Sequence, residues 1–266
     1  MWLWSLWAVV AVAEESEFAG TEAPADAVEE SETNLSAELS GTQASGNSVF
    51  YTVNGAVSAS HKWGKNKVAG VGSINVGKAV ADGDGDGQLN GAERQLGLVE
   101  SARRYEAEGR YDRFFSERDS LYVLAGAFFD PFAGYDLRSH EQLGYSRIVV
   151  DQEETKFVGE IGVDVAQENY VDGVSPNQAT VVAARGMMSI EQKIGDGVSI
   201  GDTVEVYESL LDTSDLRVLN NAALTVEMST TFSLKLSHAL IWDNVPVEGF
   251  QPLDQTTMAT LVASIL

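Results

Sequence analysis

Residues 232–242 read FSLKLSHALIW. Phe232, Leu234, Leu236, Leu240 and Trp242 share one phase of a two-residue period, and Ser233, Lys235 and Ser237 share the other. Successive side chains of a strand point to opposite faces, so this stretch reads as a strand with one apolar and one polar face. His238 falls in the apolar phase. The pattern recurs upstream. FVGEIGVDVAQE sets Phe157, Ile161, Val163 and Val165 against Glu160, Asp164 and Glu168. LRVLNNAALTVEM sets Val218, Ala222, Leu224 and Val226 against Arg217, Asn221, Thr225 and Glu227. No segment of the domain has convincing helical periodicity.

Working outward, the alternation predicts strands over 34–45, 47–62, 66–81, 94–114, 121–130, 138–151, 156–170, 177–194, 197–211, 215–228, 232–245 and 254–266. Several exceed the ~5–6 residues of a typical soluble strand. They suit tilted membrane-spanning strands, which need ~9–11 residues plus overhang. Short connections (GKN, SERDS, QEETK, GDG, STT) alternate with a set containing longer ones (ADGDGDGQLNGAE, PFAGYDL, YVDGVSPNQ, VPVEGFQP). That asymmetry is the mark of an outer-membrane barrel. The fold class expected is therefore all-β: a single antiparallel transmembrane β-barrel of about twelve strands over residues 34–266. Two aromatic girdles are expected. Trp63, Tyr111, Phe114, Phe115, Tyr122, Phe157 and Phe232 lie near short-turn ends, and Phe128, Phe129, Phe132, Tyr135, Tyr170, Tyr207 and Trp242 near long-loop ends. A soluble periplasmic sandwich is the alternative.

The chain has 266 residues, no cysteine, and 40 acidic against 17 basic residues, a net charge of -23. Such a chain repels phosphate backbones, so no nucleic-acid partner is expected. Disulfides and thiolate metal sites are excluded. Residues 1–13 (MWLWSLWAVVAVA) read as a signal peptide ending in a small-x-small cleavage pattern. They lack a basic n-region, which points to a truncated start; a short N-terminal helix is the alternative. Residues 14–33 carry eight acids and no lysine or arginine, an acidic linker too poor in large apolar residues to fold.

The stretch YDRFFSERDSLYVLAGAFFDPFAGYDLRS, with FAGYDLR (Phe132 to Arg138) its most specific piece, resembles the middle of the outer-membrane family called domain of unknown function 481. The SGNS turn and SLKLSHALIWDNVPVEGF…DQTTMATLVASIL resemble it too. The similarity covers roughly residues 34–266. It implies an outer-membrane barrel of the YdiY-like, salt-induced kind, assembled by the barrel-assembly machinery, in contact with outer-membrane lipid, and without catalytic residues. The chain departs from the family in its DGDGDG insert. It also ends in Leu266, where such barrels commonly end in phenylalanine.

Two constellations carry chemistry. DGDGDGQLNGAE has the register of a calcium loop, with Asp82, Asp84, Asp86, Gln88 (through its carbonyl), Asn90 and Glu93 as oxygen ligands. Its strand-like flank and the lack of a helix pair exclude a sensor of the calmodulin type. An isolated weak calcium loop and an ordinary Asp-Gly turn are the two readings left. The second constellation is the polar phase: Arg104, Glu106, Glu108, Arg110, Asp112, Glu160, Asp164, Arg185, Glu191, Glu205, Arg217, Glu227 and Lys235 are expected in the lumen. They would form either a cation-selecting pore or an ion-pair network that plugs a narrow barrel. Enzymatic function is not expected. The neighbours Ser237 and His238 face opposite sides of a strand and cannot form a dyad, and His61, His140 and His238 are too scattered for zinc.

The function expected is an outer-membrane barrel of a Gram-negative bacterium, with a structural or passive-permeability role that favours small cations, linked to osmotic or envelope stress. The alternative is a closed barrel whose outer loops bind calcium or a surface ligand. No cofactor is required in either.

Overall fold

The two phases of each strand become the two surfaces of a wall. The computed structural model describes residues 31–45, 49–83 and 89–265. Its strands are β1 (Glu32–Ala44), β2 (Phe50–Trp63), β3 (Asn66–Ala79), β4 (Val99–Phe114), β5 (Asp119–Asp130), β6 (Tyr135–Asp151), β7 (Thr155–Tyr170), β8 (Gln178–Gly195), β9 (Val198–Ser209), β10 (Leu216–Glu227), β11 (Phe232–Asp243) and β12 (Leu253–Ser264). Each pairs antiparallel with the next, and β12 returns to β1, closing the barrel. The proposed signal peptide, nearly all of the acidic linker and Leu266 lie outside the described residues.

The wall is inverted relative to a water-soluble protein. Ile161 is 66% exposed and Leu143 62%, while Glu160, Asp112, Asp164 and Glu168 are 3% or less. Apolar residues outside and charges inside suit a wall that faces hydrocarbon. Every strand finds hydrogen-bonding neighbours on both sides, as a sheet in lipid requires.

The expected strand ends hold within three residues except at β4, which starts at Val99 rather than 94. The intervening residues form a short helix, α1 (Gly91–Leu96). Asn90 caps it: its side-chain oxygen accepts from the N–H groups of Ala92 (2.9 Å) and Glu93 (3.0 Å). Glu93 reaches back to the Asn90 N–H at 2.9 Å, completing a capping box. The expected long loop PFAGYDL is instead the tight turn 131–134. The Asp130 carboxylate accepts from the N–H groups of Phe132 (3.2 Å) and Ala133 (3.1 Å) and folds the chain back at once.

The aromatic girdles are thinner than expected. Phe115, Phe232, Tyr105 and Tyr111 are exposed on the outer face. Phe129 stacks there on Tyr105, and Tyr145 on Phe115. Phe114 and Tyr122 are instead 2% and 1% exposed, and Tyr135 is buried with them. These rings share the phase of the charged residues and pack inside the barrel.

The lipid-facing assignment makes a direct test. Leu143→Arg should lower the stability of the refolded protein in lipid vesicles by about 2–4 kcal/mol, the cost of a lipid-facing guanidinium near the midplane. Equilibrium unfolding in urea reads it. An unchanged midpoint would mean Leu143 does not face lipid.

Candidate functional site

The inward phase of β4–β9 carries guanidinium groups that reach across the lumen. Arg110 on β4 donates to both Asp112 oxygens at 2.7 and 2.8 Å and to both Glu160 oxygens at 2.8 and 3.1 Å. Glu160 stands three strands away on β7. Arg185 on β8 shares that carboxylate at 2.8 Å and donates to Glu205 on β9 at 2.5 Å. The Tyr207 hydroxyl donates to the same Glu205 oxygen at 2.6 Å. Side chains only a few ångströms apart thus tie four strands into one chord.

Tyr122 locks the chord. Register places Tyr122, Gly144, Gly162 and Arg185 in one row across β5–β8. A Cβ on Gly144 would meet the Tyr122 ring at 2.5 Å, and one on Gly162 its hydroxyl oxygen at 2.8 Å. The phenol end of Tyr122 therefore occupies the space that the two glycines leave open. From there its hydroxyl accepts from Arg185 at 2.9 Å, while Arg110 stacks over its face at 4.0 Å.

A second tier lies toward the long-loop end. Arg104 pairs with Glu106 (3.0 Å) and Asp130 (3.4 Å) and stacks on Phe128. Glu168 on β7 takes Arg138 of β6 at 3.0 Å and Arg217 of β10 at 2.8 Å. Arg217 pairs with Asp243 at 2.7 Å. His140 bridges Glu108 (3.1 Å) and Asp164 (3.3 Å). Between the tiers and the β5–β6 and β11–β12 connections lies a cavity of about 190 Å³. Its lining includes Arg104, Arg185, Arg217 and Glu205 together with Leu219, Ile241, Val247 and Phe250.

Of the thirteen lumen charges expected, ten fall in this two-tier network. They are Arg104, Glu106, Glu108, Arg110, Asp112, Glu160, Asp164, Arg185, Glu205 and Arg217. Lys235 is also buried, but apart, with Glu38 of β1 at 2.5 Å. Glu191 and Glu227 keep the inward phase but stand exposed at short-turn ends, outside the network. The sequence reading missed Arg138, His140, Glu168, Asp130 and Asp243 as lumen residues. Phase alone could have found Glu168, which lies four residues after Asp164. Ser237 is buried inside, whereas His238 faces outward and bonds Thr257 at 2.9 Å, so the two do not meet.

The proposed calcium ligands divide. Asp84, Asp86 and Gln88 lie outside the described residues. Asp82, Asn90 and Glu93 lie within them, and Asn90 and Glu93 are engaged by α1. One Glu93 oxygen accepts from the Asn90 N–H and the other from the Gly83 N–H at 2.8 Å, so calcium would have to compete with both.

The chord carries a stability test. Glu160→Gln leaves Arg110 and Arg185 without their shared charge. Breaking a buried pair from one side costs about 3–5 kcal/mol. The variant should lose its folded, fast-migrating gel band at a lower temperature than the parent. An unchanged transition would show that the chord does not hold the barrel.

Comparison with known proteins agrees with this architecture. Residues 37–265 match the family described as "Protein of unknown function, DUF481". "Uncharacterized protein YdiY" of Escherichia coli (strain K12) is 25% identical over 149 residues, 56% of this chain and 56% of that protein. The chain thus matches little more than half the length of that relative. Among solved structures, the NanC porin superposes with a TM-score of 0.52 at 10% identity, covering 87% of this chain and all of that one. An outer membrane channel from Pseudomonas putida F1 gives a TM-score of 0.45 at 12% identity, over 91% of this chain and 97% of that one. The family match runs from residue 37 to residue 265, most of the chain, so the chain belongs to the DUF481 family.

Proposed function

We propose that the protein is an outer-membrane barrel of a Gram-negative envelope, with a structural role and a narrow permeability that favours small cations. One observation carries the reading. Each of the five lumen arginines, Arg104, Arg110, Arg138, Arg185 and Arg217, lies within ion-pair reach of two carboxylates. Each of these arginines is thus outweighed locally, and a small cation threading between the chords meets a net negative field. The chords also narrow the path, which disfavours bulky solutes. Such a leak would matter under osmotic or envelope stress, when ion gradients across the outer membrane change. Lipid and the barrel-assembly machinery are the partners this reading implies.

A second reading, a closed barrel that binds a ligand, is favoured by the cavity at the long-loop end. Conductance in a planar bilayer under a KCl gradient separates the two. The first reading expects small discrete steps with a reversal potential of cation sign. A reversal of anion sign overturns it. Silence from protein shown to be folded removes permeation and leaves the binding reading.

A further inference from the structure

The lipid face is not apolar throughout. On β9–β12 the outward phase carries Asp202, Asn220, His238, Gln255 and Thr257. Register puts Asp202, Ala222, His238 and Thr257 in one row, and Asn220, Leu240 and Gln255 in the row beside it. The polar side chains thus form one patch across four consecutive strands. They do not mark the end of the hydrocarbon band. On each strand the outward phase returns to apolar residues on both sides of the patch, as at Ile200 and Val206 on β9 and Leu236 and Trp242 on β11. Glu141 on β6 also points outward, but its row neighbours Ala125 and Val165 are apolar, so it is not part of such a patch.

The chain satisfies this patch only in part. Asn220 donates to Asp202 Oδ1 at 2.6 Å, and His238 Nδ1 bonds the Thr257 hydroxyl at 2.9 Å. Among the described residues, the second Asp202 oxygen, His238 Nε2 and the Gln255 amide have no hydrogen-bond partner. Where Thr257 donates to Nδ1, Nε2 carries the ring proton and is a donor. Polar groups turned to hydrocarbon without partners are costly, a carboxylate most of all. Inside a bilayer, another protein surface can supply the missing bonds.

The chemistry of the patch indicates what covers it. It offers an acceptor on β9, a donor on β11, and amides on β10 and β12 that serve as both, so it complements itself. Two copies in one membrane stand upright, so a two-fold axis between them runs along the membrane normal. Such an axis beside β10 turns β9 of each copy toward β11 of the other, acceptor strand toward donor strand. Ala222 then stands at the centre, where a small side chain lets the walls approach closely. Four strands spaced about 4.8 Å apart span about 15 Å, a width that two cylinders lying side by side can share. The patch also includes β12, whose ladder with β1 is the shortest in the barrel among the described residues. A copy packed there braces the wall where it is least tightly zipped.

We propose that the outer face of β9–β12 is a dimer interface, on which a second copy of this chain packs within the membrane, with Asp202 and His238 supplying its polar contacts. The inference goes beyond the permeability reading and does not depend on the lumen.

The test uses the refolded chain in phosphatidylcholine vesicles. Because the chain has no cysteine, Ala222→Cys introduces its only thiol. Oxidation, or a short bismaleimide, should give a cross-linked dimer whose fraction holds as the protein is diluted in lipid. Ile161→Cys, outward on β7, reports random collision, and its cross-link should fade with dilution. Added to Ala222→Cys, the pair Asp202→Leu/His238→Leu should abolish the dilution-resistant cross-link and keep the folded, fast-migrating gel band, since leucine is at home in lipid. The dilution series decides the dimer by itself. A cross-link from Ala222→Cys that fades as that from Ile161→Cys does would overturn the proposal, leaving lipid or a different protein over the patch. Equal persistence at Ile161→Cys would place the contact elsewhere and overturn it too. A dilution-resistant cross-link unchanged by the leucine pair would show that Asp202 and His238 do not make the contact. Conductance of either sign would leave these outcomes unchanged.

Discussion

A chain that faces hydrocarbon has no water to satisfy its backbone. Each unpaired N–H or C=O costs several kcal/mol there, so the only stable sheet is one closed on itself. The rest of the structure follows from that closure. Once the sheet is a cylinder, the two-residue period can only mean lipid outside and lumen inside. Ile161 and Val163 then go to the lipid, and Glu160 and Asp164 to the interior. Among the described residues the β1–β12 ladder, four paired rows from Ser36–Ser264 to Leu39–Leu261, is the shortest in the barrel, so the wall is least tightly zipped where its first and last strands meet.

The interior meets a second constraint. Charges taken out of bulk water need partners, and in a narrow lumen the partners stand on other strands. Arg110 and Arg185 meet this by sharing Glu160, and Arg138 and Arg217 by sharing Glu168. The planar fork of arginine suits such sharing better than lysine, because it offers several donors in fixed directions. Tyr122 adds a rigid crosspiece, and Gly144 and Gly162 clear the space it needs. The lumen is thus organised as two tiers with a cavity between them and the long-loop connections, rather than as a uniform tube.

How much of this was legible in the sequence depends on range. Strand positions were, because alternation is local and one register slip would turn every apolar side chain inward. The charged phase was legible for the same reason: Arg104 to Asp112 could be placed inside from their spacing alone. Which charge meets which was not, since Arg110 and Glu160 lie fifty residues apart and meet only after closure. Tyr122, Phe114 and Tyr207 were misread as girdle residues because aromatic rings serve lipid interfaces and lumen packing alike. The helix α1 was hidden because Asn90 and Glu93 satisfy a calcium-loop register and a capping box equally well. The turn at 131–134 was overestimated in length because the Asp130 cap is invisible to loop counting.

The inside-outside assignment is the claim on which all else stands. The direct measurement is a scan of single cysteines along β7 from Ile161 to Glu168, each carrying a nitroxide, in refolded protein in vesicles. Collision with oxygen dissolved in the bilayer should be high at Ile161, Val163 and Val165 and low at Asp164, Ala166 and Glu168. A flat profile, or one with the opposite phase, would contradict the barrel described here.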